Sequence, residues 1–138
     1  MKQTNGKVFL DSNILIYSYS NSEPGKQLIA RNIITENNSV ISTQVLQELT
    51  NTVTRKFQFS YPDAANAIKE CCHNNDLHIN TEDTIVQACR IAGQYGFSFY
   101  DSLIISAALE CNCITLYSED MQHDMHIDER LAIINPFL

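Results

Sequence analysis

The sequence predicts an α/β protein in which a mostly parallel sheet of about five strands is flanked by helices. Short apolar segments of strand length recur along the chain, and stretches with helical spacing of apolar residues separate them. Strands that alternate with helices in this way form parallel sheets covered on both faces. With 138 residues, 44% hydrophobic and 18% charged, the chain is expected to form a single domain over residues 1–138.

Five segments have the length and composition of strands. They are short, largely apolar and separated from one another by polar or helical stretches. The predicted strands comprise residues 7–10, 39–42, 77–79, 114–117 and 131–134.

The intervening segments contain residue patterns that start and end helices. Ser22 precedes Pro24, Ser60 stands three residues before Asp63 in the spacing of a capping box, and a helical stripe from about residue 81 to 95 ends at Gly96. A further apolar stripe runs from residue 103 to 111. These patterns predict helices between the strands.

Three carboxylates are predicted to meet at one edge of this sheet. In parallel sheets with right-handed crossovers, functional residues gather at the carboxyl ends of the strands. Asp11 directly follows the first predicted strand, Glu48 lies in the helix after the second, and Asp120 lies just beyond the fourth.

Each acid also has a structural interpretation. Asp11 can cap the helix that it opens, and a strand followed by aspartate also begins phosphatases of the haloacid-dehalogenase type. That family normally has a second aspartate where this chain has Asn13. Glu48 can be a solvated helical residue, and Arg55 shares its side of the helix as a candidate phosphate contact.

The two later acids are similarly ambiguous. Asp101 stands three residues after Ser98, a spacing that favours a helix cap, but it heads an otherwise apolar helix. Asp120 lies in a polar turn, where Ser118 supplies a hydroxyl that can orient a carboxylate or a water. The neighbouring acids expected to face solvent are Glu119 and Asp124.

The four acids together favour a metal site. Crowded carboxylates repel one another unless a cation compensates, and Mg²⁺ binds oxygen ligands while retaining several waters. A bound Mg²⁺ activates water for attack on a phosphodiester. The four histidines show no shared pattern with the acids and are expected to be surface or core residues.

Net charge and cysteine content further limit the classes of protein that fit this sequence. Nine Lys and Arg against sixteen Asp and Glu give a net charge of −7, which disfavours nucleic-acid binding unless a metal reverses the local field. The five cysteines are odd in number and include an adjacent pair, which favours free buried thiols in a reducing compartment. With no apolar segment of signal or membrane-span length, the protein is expected to be cytoplasmic.

Four segments of the chain resemble the PIN-domain family, in its VapC-type toxin branch. They comprise residues 8–17 (VFLDSNILIY), 42–48 (STQVLQE), 99–105 (FYDSLII) and 115–123 (TLYSEDMQH), and the similarity extends from Val8 almost to the C-terminus. All four occur in order and at suitable spacing, which makes the resemblance specific. One departure is Asp124, where the family is expected to have a glycine.

The resemblance implies a compact three-layer α/β fold and endonucleolytic cleavage of RNA with Mg²⁺ or Mn²⁺. It implies that Asp11, Glu48, Asp101 and Asp120 form the catalytic site, with Asp11 and Asp101 as direct metal ligands. Glu48 and Asp120 would hold metal or water, and Asn13 and Ser118 are the supporting residues. It further implies a homodimer and a cognate antitoxin that covers the site.

Two alternatives remain open at this point. The chain could keep the fold and sequester RNA or a protein without cutting, although such a module has no need of four acids. A small-molecule phosphatase is the other alternative, and Asn13 disfavours it.

Overall fold

The predicted alternation of strands and helices is present in the computed structural model, which describes the backbone of residues 3–138 and the side chains from residue 6 onward. Residues 1 and 2 of the predicted domain lie outside this range. The strands are β1 (Gln3–Leu10), β2 (Asn37–Ser42), β3 (Asp76–His78), β4 (Thr115–Tyr117), β5 (Met125–Ile127) and β6 (Leu131–Ile134). The helices are α1 (Ser12–Tyr19), α2 (Pro24–Glu36), α3 (Thr43–Arg55), α4 (Tyr61–Asn74), α5 (Glu82–Tyr95) and α6 (Phe99–Glu110).

The strands form one sheet in the order β3-β2-β1-β4-β6-β5. All neighbouring pairs are parallel except β5 and β6, which confirms the predicted mostly parallel α/β fold. Strand β1 is central and pairs with β2 on one side and β4 on the other. The carboxyl ends of β1 and β4 therefore lie side by side. Asp11 follows β1 and Ser118 follows β4 at this edge of the sheet.

Local side-chain chemistry sets the helix boundaries as the sequence predicts. Ser60 accepts a hydrogen bond from the backbone of Asp63 at 3.2 Å, so half of the expected capping box is formed. Helix α5 begins after Thr81, which makes a reciprocal capping box with Thr84. It ends at Gly96, whose φ of 81° is the left-handed conformation that glycine adopts at little cost.

The sixth strand, β5, was not predicted from the sequence. It pairs antiparallel with β6 through a tight turn in which the backbone N–H of Arg130 donates to the Ile127 carbonyl at 3.0 Å. The central residues of the turn, Asp128 and Glu129, both have positive φ, at 52° and 56°. Turns of this kind usually contain Asn-Gly or Asp-Gly, so the usual hairpin signal is missing here.

The turn is held in place from outside the hairpin. The Asp128 carboxylate accepts two hydrogen bonds from the Arg90 guanidinium, the shorter at 2.7 Å, and a third from the Tyr95 hydroxyl at 2.9 Å. These contacts stabilise a backbone conformation that non-glycine residues rarely adopt.

The core lies on both sides of the central strands. Phe9 and Leu10 of β1 and Leu116 of β4 are fully buried. Helix α6 is buried over residues 102–109 and contacts both β2 and α5, as expected for a helix that is apolar around most of its circumference. Its N-terminus is therefore firmly positioned, and Asp101 lies in its first turn. None of the described helices is long and apolar enough to cross a membrane.

Candidate active site

Asp11 lies at the carboxyl end of the central strand, where it both caps a helix and faces the other acids. Its backbone N–H continues the sheet by donating to the Tyr117 carbonyl at 3.0 Å. One carboxylate oxygen accepts from the Ser12 backbone at 2.7 Å, which makes Asp11 the N-cap of α1. The residue is only 6% exposed. The structural and functional interpretations of Asp11 are thus compatible, because the cap occupies one oxygen and leaves the other available.

The second oxygen of Asp11 belongs to a hydrogen-bond network that joins α1 to the loop after β4. The Ser118 hydroxyl donates to Asp11 Oδ2 at 2.7 Å. The Asn13 amide group lies 3.5 Å from the same oxygen and donates to Asp120 Oδ2 at 3.2 Å, while its carbonyl oxygen accepts from the Glu119 backbone at 3.2 Å. The backbone of Asp120 in turn donates to Ser118 Oγ at 3.3 Å. Asn13 and Ser118 therefore set the position of Asp120 relative to Asp11.

Helices α3 and α6 bring Glu48 and Asp101 to the same place. At the start of α6, the Ser98 hydroxyl accepts from the Asp101 backbone at 3.2 Å and caps the helix. A side-chain hydrogen bond with Ser98 also favours the ionised form of the Asp101 carboxylate. In α3, the Gln44 side chain donates to the Tyr100 carbonyl at 3.1 Å. This bond ties the first turn of α3, one turn before Glu48, to the first turn of α6.

Burial and mutual repulsion perturb the ionisation of Asp11. Burial raises its pKa to about 6, and the charges of Glu48 and Asp101 act in the same direction. The hydrogen bonds from Ser118 and the Ser12 backbone favour the carboxylate and oppose this rise only in part. A carboxylate in this state gains stability from a nearby cation.

Glu48 and Asp101 show the same coupling. Partial burial raises the pKa of Glu48 despite hydrogen bonds from neighbouring side chains, and the charges of Asp101 and Asp120 add to the rise. Burial also raises the pKa of Asp101, with Asp120 again contributing repulsion. Each of the four acids thus acts on at least one other, and the structure brings together the complete set that the sequence predicts.

The donor chemistry of this cluster fits a hard divalent cation. All the candidate ligands are oxygens, which Mg²⁺ and Mn²⁺ prefer. The side-chain oxygen of Gln44 is buried without a hydrogen-bond partner among residues 6–138, although its amide group is bonded. It is a buried acceptor, one helical turn before Glu48, for which the described residues supply no donor.

The acids do not form a closed cage by themselves. Within the part of the chain that the structure describes, no three His, Cys, Asp or Glu side chains lie together as a ready-made metal site. Mg²⁺ typically binds through one or two protein carboxylates and keeps several waters. An open arrangement of carboxylates is consistent with Mg²⁺.

A second group of side chains, which the sequence did not indicate, fixes the loop that carries Asp120. Glu119 was expected to face solvent, and this prediction was wrong. Its carboxylate accepts from Lys26 Nζ at 2.6 Å and from the Tyr17 hydroxyl at 2.6 Å. Lys26 also lies over the rings of Tyr17 and Phe137, at 4.8 and 5.5 Å from their centroids.

These contacts determine the charge of Glu119. Although partial burial favours its neutral form, the hydrogen bonds from Lys26 and Tyr17 lower its pKa overall. Glu119 therefore stays ionised and paired with Lys26, apart from the four acids. The contacts join residues 93 and 102 positions apart, so no local sequence pattern predicts them.

Asp124, the departure from the family pattern, has a φ of 65°. Glycine adopts this left-handed conformation freely, and aspartate tolerates it better than most residues. The side chain is exposed, as predicted, and its backbone N–H donates to the Ile133 carbonyl at 2.7 Å. The substitution therefore leaves the loop in a conformation suited to glycine.

The cysteines and histidines lie outside the acid cluster. All five cysteines are free. Burial raises the pKa of Cys71 to about 11 and that of Cys113 to about 12, so these thiols are protonated and unreactive at neutral pH. His78 lies 3.1 Å from Glu110, and His123 accepts a hydrogen bond from the Asn135 backbone at 2.9 Å. None of these groups contacts the four acids.

Two surface cavities lie along α3. One, of about 580 Å³, lies between α3 and α4 and is lined by uncharged side chains of these helices. None of the four acids lines it. A smaller cavity of about 370 Å³ includes Asn13 and Asp120 in its wall and is therefore continuous with the acid cluster.

Comparison with known proteins identifies the family. A sequence model of the PIN domain matches residues 8–125, which is most of the chain. The sequence has no significant match among curated proteins.

Similar solved structures are toxins or toxin–antitoxin complexes. VapC20 of Mycobacterium tuberculosis, a toxin that cleaves the sarcin-ricin loop, is 15% identical with a TM-score of 0.64, over 82% of this chain and 89% of that one. A toxin–antitoxin complex from Klebsiella pneumoniae is 15% identical with a TM-score of 0.69, over 94% and 97%. VapBC2 from Rickettsia felis, bound to a promoter DNA fragment, is 18% identical with a TM-score of 0.61, over 83% and 88%. At these identities the likeness establishes the fold.

Proposed function

The chain belongs to the PIN-domain family, and from this premise we propose that it is a divalent-metal-dependent endoribonuclease acting as the toxin of a toxin–antitoxin pair. The observation that carries the proposal is the mutual coupling of Asp11, Glu48, Asp101 and Asp120 at the carboxyl edge of the sheet. Such repulsion is unfavourable in the free protein, and a cation relieves it. The similarity to the sarcin-ricin-cleaving toxin supports RNA as the substrate class.

Asp11 and Asp101 would hold the metal, which is expected to be Mg²⁺, with Mn²⁺ as a substitute. When bound, the ion lowers the pKa of a water and stabilises negative charge on the phosphoryl oxygens. Ser118 and the Ser12 backbone orient the Asp11 carboxylate. Asn13 fixes Asp120 beside it.

Glu48 and Asp120 are proposed to complete the site by holding metal or water. The raised pKa of Glu48 brings this carboxyl closer to neutral pH than an exposed glutamate, which suits it to accept a proton from an attacking water. Asp120 is exposed and faces the adjoining cavity, where a substrate strand can reach it.

Cleavage by the purified chain tests the proposal. Labelled single-stranded RNA should be cut internally with Mg²⁺ and remain intact with EDTA. Asp101→Asn preserves the shape of the side chain and the Ser98 cap but removes the charge, so we expect it to fold and to lose most activity. Glu82→Gln, in the exposed first turn of α5, is the matched control. Binding of RNA without cleavage by the native chain would favour a non-cleaving RNA-binding module.

The proposal includes a cognate antitoxin, a homodimer and a cytoplasmic location. Two of the similar structures are toxin–antitoxin assemblies. A chain of net charge −7 with clustered carboxylates favours a basic partner, and an arginine side chain can pair with carboxylates at two points. Co-expression with the small reading frame beside the gene tests this part. Failure of the two chains to associate, or association that leaves cleavage unchanged, would contradict antitoxin control.

A further inference from the structure

A cation that has no partner among the described residues lines the cavity beside Asp120. Lys56 follows α3 and lines this cavity together with Asn13 and Asp120. Its side chain is exposed, and the described residues provide it with no ion pair or side-chain hydrogen bond. Lys26, the other lysine near this loop, is already paired with Glu119. In a chain of net charge −7, a lysine that lies near the acid cluster and has no ion-pair partner among the described residues distinguishes this cavity.

The position of Lys56 is fixed relative to the acids. Its backbone N–H donates to the Thr52 carbonyl at 2.8 Å and closes the last turn of α3. Glu48, Thr52 and Lys56 follow one another at intervals of four, so they form a row along the helix. Eight residues correspond to about 12 Å along the axis. Lys56 is therefore too far along the helix from Glu48 to contact a phosphate held there, but it can contact the next nucleotide of a strand that passes Asp120.

The cavity itself suits a polar ligand with a flat apolar part. Its volume of about 370 Å³ lies in the range of roughly 300–1,000 Å³ of small-molecule sites. Phe57 and Tyr17 contribute aromatic surface, on which nucleobases stack in single-strand-binding proteins. Three hydroxyl groups also line it, from Ser20, Ser22 and Thr52. The remaining acidic lining residues are Glu119, which is paired with Lys26, and Glu23.

We infer that this cavity holds a nucleotide that flanks the scissile phosphate of single-stranded RNA and that Lys56 contacts the phosphate of that nucleotide. This inference rests on the proposed function, because it takes the acid cluster as the place of cleavage. Arg55, the phosphate contact suggested by the sequence, is exposed and does not line the cavity.

The inference separates substrate binding from the chemical step. Lys56 and Glu48 are about 12 Å apart along the helix, further than the screening length of about 8 Å at physiological salt. Loss of the lysine charge should therefore leave the ionisation of Glu48 almost unchanged. Lys56→Gln should raise KM and leave kcat almost unaffected.

The salt dependence of RNA binding gives a quantitative test. Binding is measured with a fluorescein-labelled single-stranded RNA and the Asp101→Asn protein, which is expected not to cut the probe. Each lost phosphate contact reduces the slope of log K against log salt by about 0.7 for a single strand, which corresponds to about fivefold weaker binding at 0.1 M salt. We expect Lys56→Gln to show both effects and Lys56→Arg to retain the original slope.

Two further variants distinguish a specific contact from a general effect. Lys69→Gln removes the same charge from an exposed position on α4 outside the cavity, so its slope should not change. Thr52→Leu narrows the cavity without altering charge, so it should weaken binding and leave the slope unchanged. Equal slopes for Lys56→Gln and Lys69→Gln, or unchanged affinity in Thr52→Leu with normal folding, would overturn the inference.

The cleavage assay tests the proposed function and the binding and KM measurements test the nucleotide site, so one claim can be contradicted without the other. A native chain that binds RNA with the expected Lys56 dependence but does not cut it contradicts the proposed function. A native chain that cuts RNA with the same KM after Lys56→Gln contradicts the nucleotide site.

Discussion

Replacement of Asp11 with asparagine should make the metal-free protein more stable while abolishing its proposed activity. The pKa of Asp11 lies near 6 instead of 3.8 because the carboxyl is buried. One pKa unit corresponds to about 1.4 kcal/mol. Keeping Asp11 ionised at pH 7.5 therefore lowers the free energy of unfolding by about 3 kcal/mol.

Asparagine removes this cost but not all of the contacts. It caps helices as well as aspartate, so the bond from the Ser12 backbone should persist. It places an amide group where Asp11 Oδ2 accepts from Ser118, and loss of one hydrogen bond costs about 1 kcal/mol. The net gain is about 1–2 kcal/mol, or roughly 4–8 °C in Tm for a chain of this size.

The dependence on pH identifies the cause. The folded protein keeps a proton on Asp11 up to about pH 6, whereas an unfolded chain releases it near pH 4. The folded state thus binds more protons between these values, and the stability of the native protein should fall as pH rises through this window. The advantage of Asp11→Asn should be absent at pH 4, grow up to about pH 6 and then remain constant.

Thermal unfolding in EDTA across this pH range measures the effect. Asp63→Asn, which alters an exposed acid in the first turn of α4, is the control and should show no gain. With Mg²⁺ added, ligand linkage should stabilise the native protein, by about 2.7 kcal/mol at 100 times Kd, and should have little effect on Asp11→Asn. Lower stability of Asp11→Asn at pH 7.5 in EDTA, or a pH profile parallel to that of the native protein, would refute the reasoning.

Three other predictions concern the surroundings of the site. Lys26→Met should release Glu119 and displace Asp120, and a shift near 1 Å should lower kcat by up to about 100-fold with a smaller change in KM. An unchanged kcat would show that the ion pair does not position the loop. A variant with all five cysteines replaced by Ala or Ser should still cut RNA if it is soluble and folded, and inactivity despite a native circular dichroism spectrum would contradict this. Asp124→Gly should keep full activity, and its free energy of unfolding, measured by urea denaturation, should equal that of the native protein or exceed it by up to about 1 kcal/mol. Asp124→Val should lower the free energy of unfolding by about 1–2 kcal/mol.

The helices and strands that the sequence predicts are those whose formation depends on residues within or next to them. Ser60 and Gly96 act on their own helices, and the apolar runs at β1 and β4 are buried because they are apolar. Strand β5 lacks such a cause: it has three residues, and its turn contains no glycine. The stability of that turn comes from Arg90 and Tyr95, more than thirty residues away in sequence.

The same distinction applies to the site. Parallel topology predicts that Asp11 and Asp120 meet, because both follow strands that turn out to be neighbours. The contact between Glu119 and Lys26 depends on how α2 packs beside α1, which no pattern in either segment records. The sequence suggested Arg55 and did not indicate Lys56 for a related reason: helical periodicity gives the side of a helix, but not where its last turn meets another element.

The role of each acid could not be decided from the sequence alone, because a helix N-cap and a metal ligand call for the same residue type at the same position. Asp11 resolves the ambiguity by doing both, since one oxygen caps α1 and the other meets Ser118. Its capping role would be served equally by asparagine, which carries no charge to bury. The ionised form of Asp11 is therefore not required for the cap, which agrees with the proposal that a cation binds among the acids. Because Asp101 contributes to the raised pKa of Asp11, the gains from Asp11→Asn and Asp101→Asn in EDTA should combine to less than their sum, since removing either charge relieves the repulsion that both share.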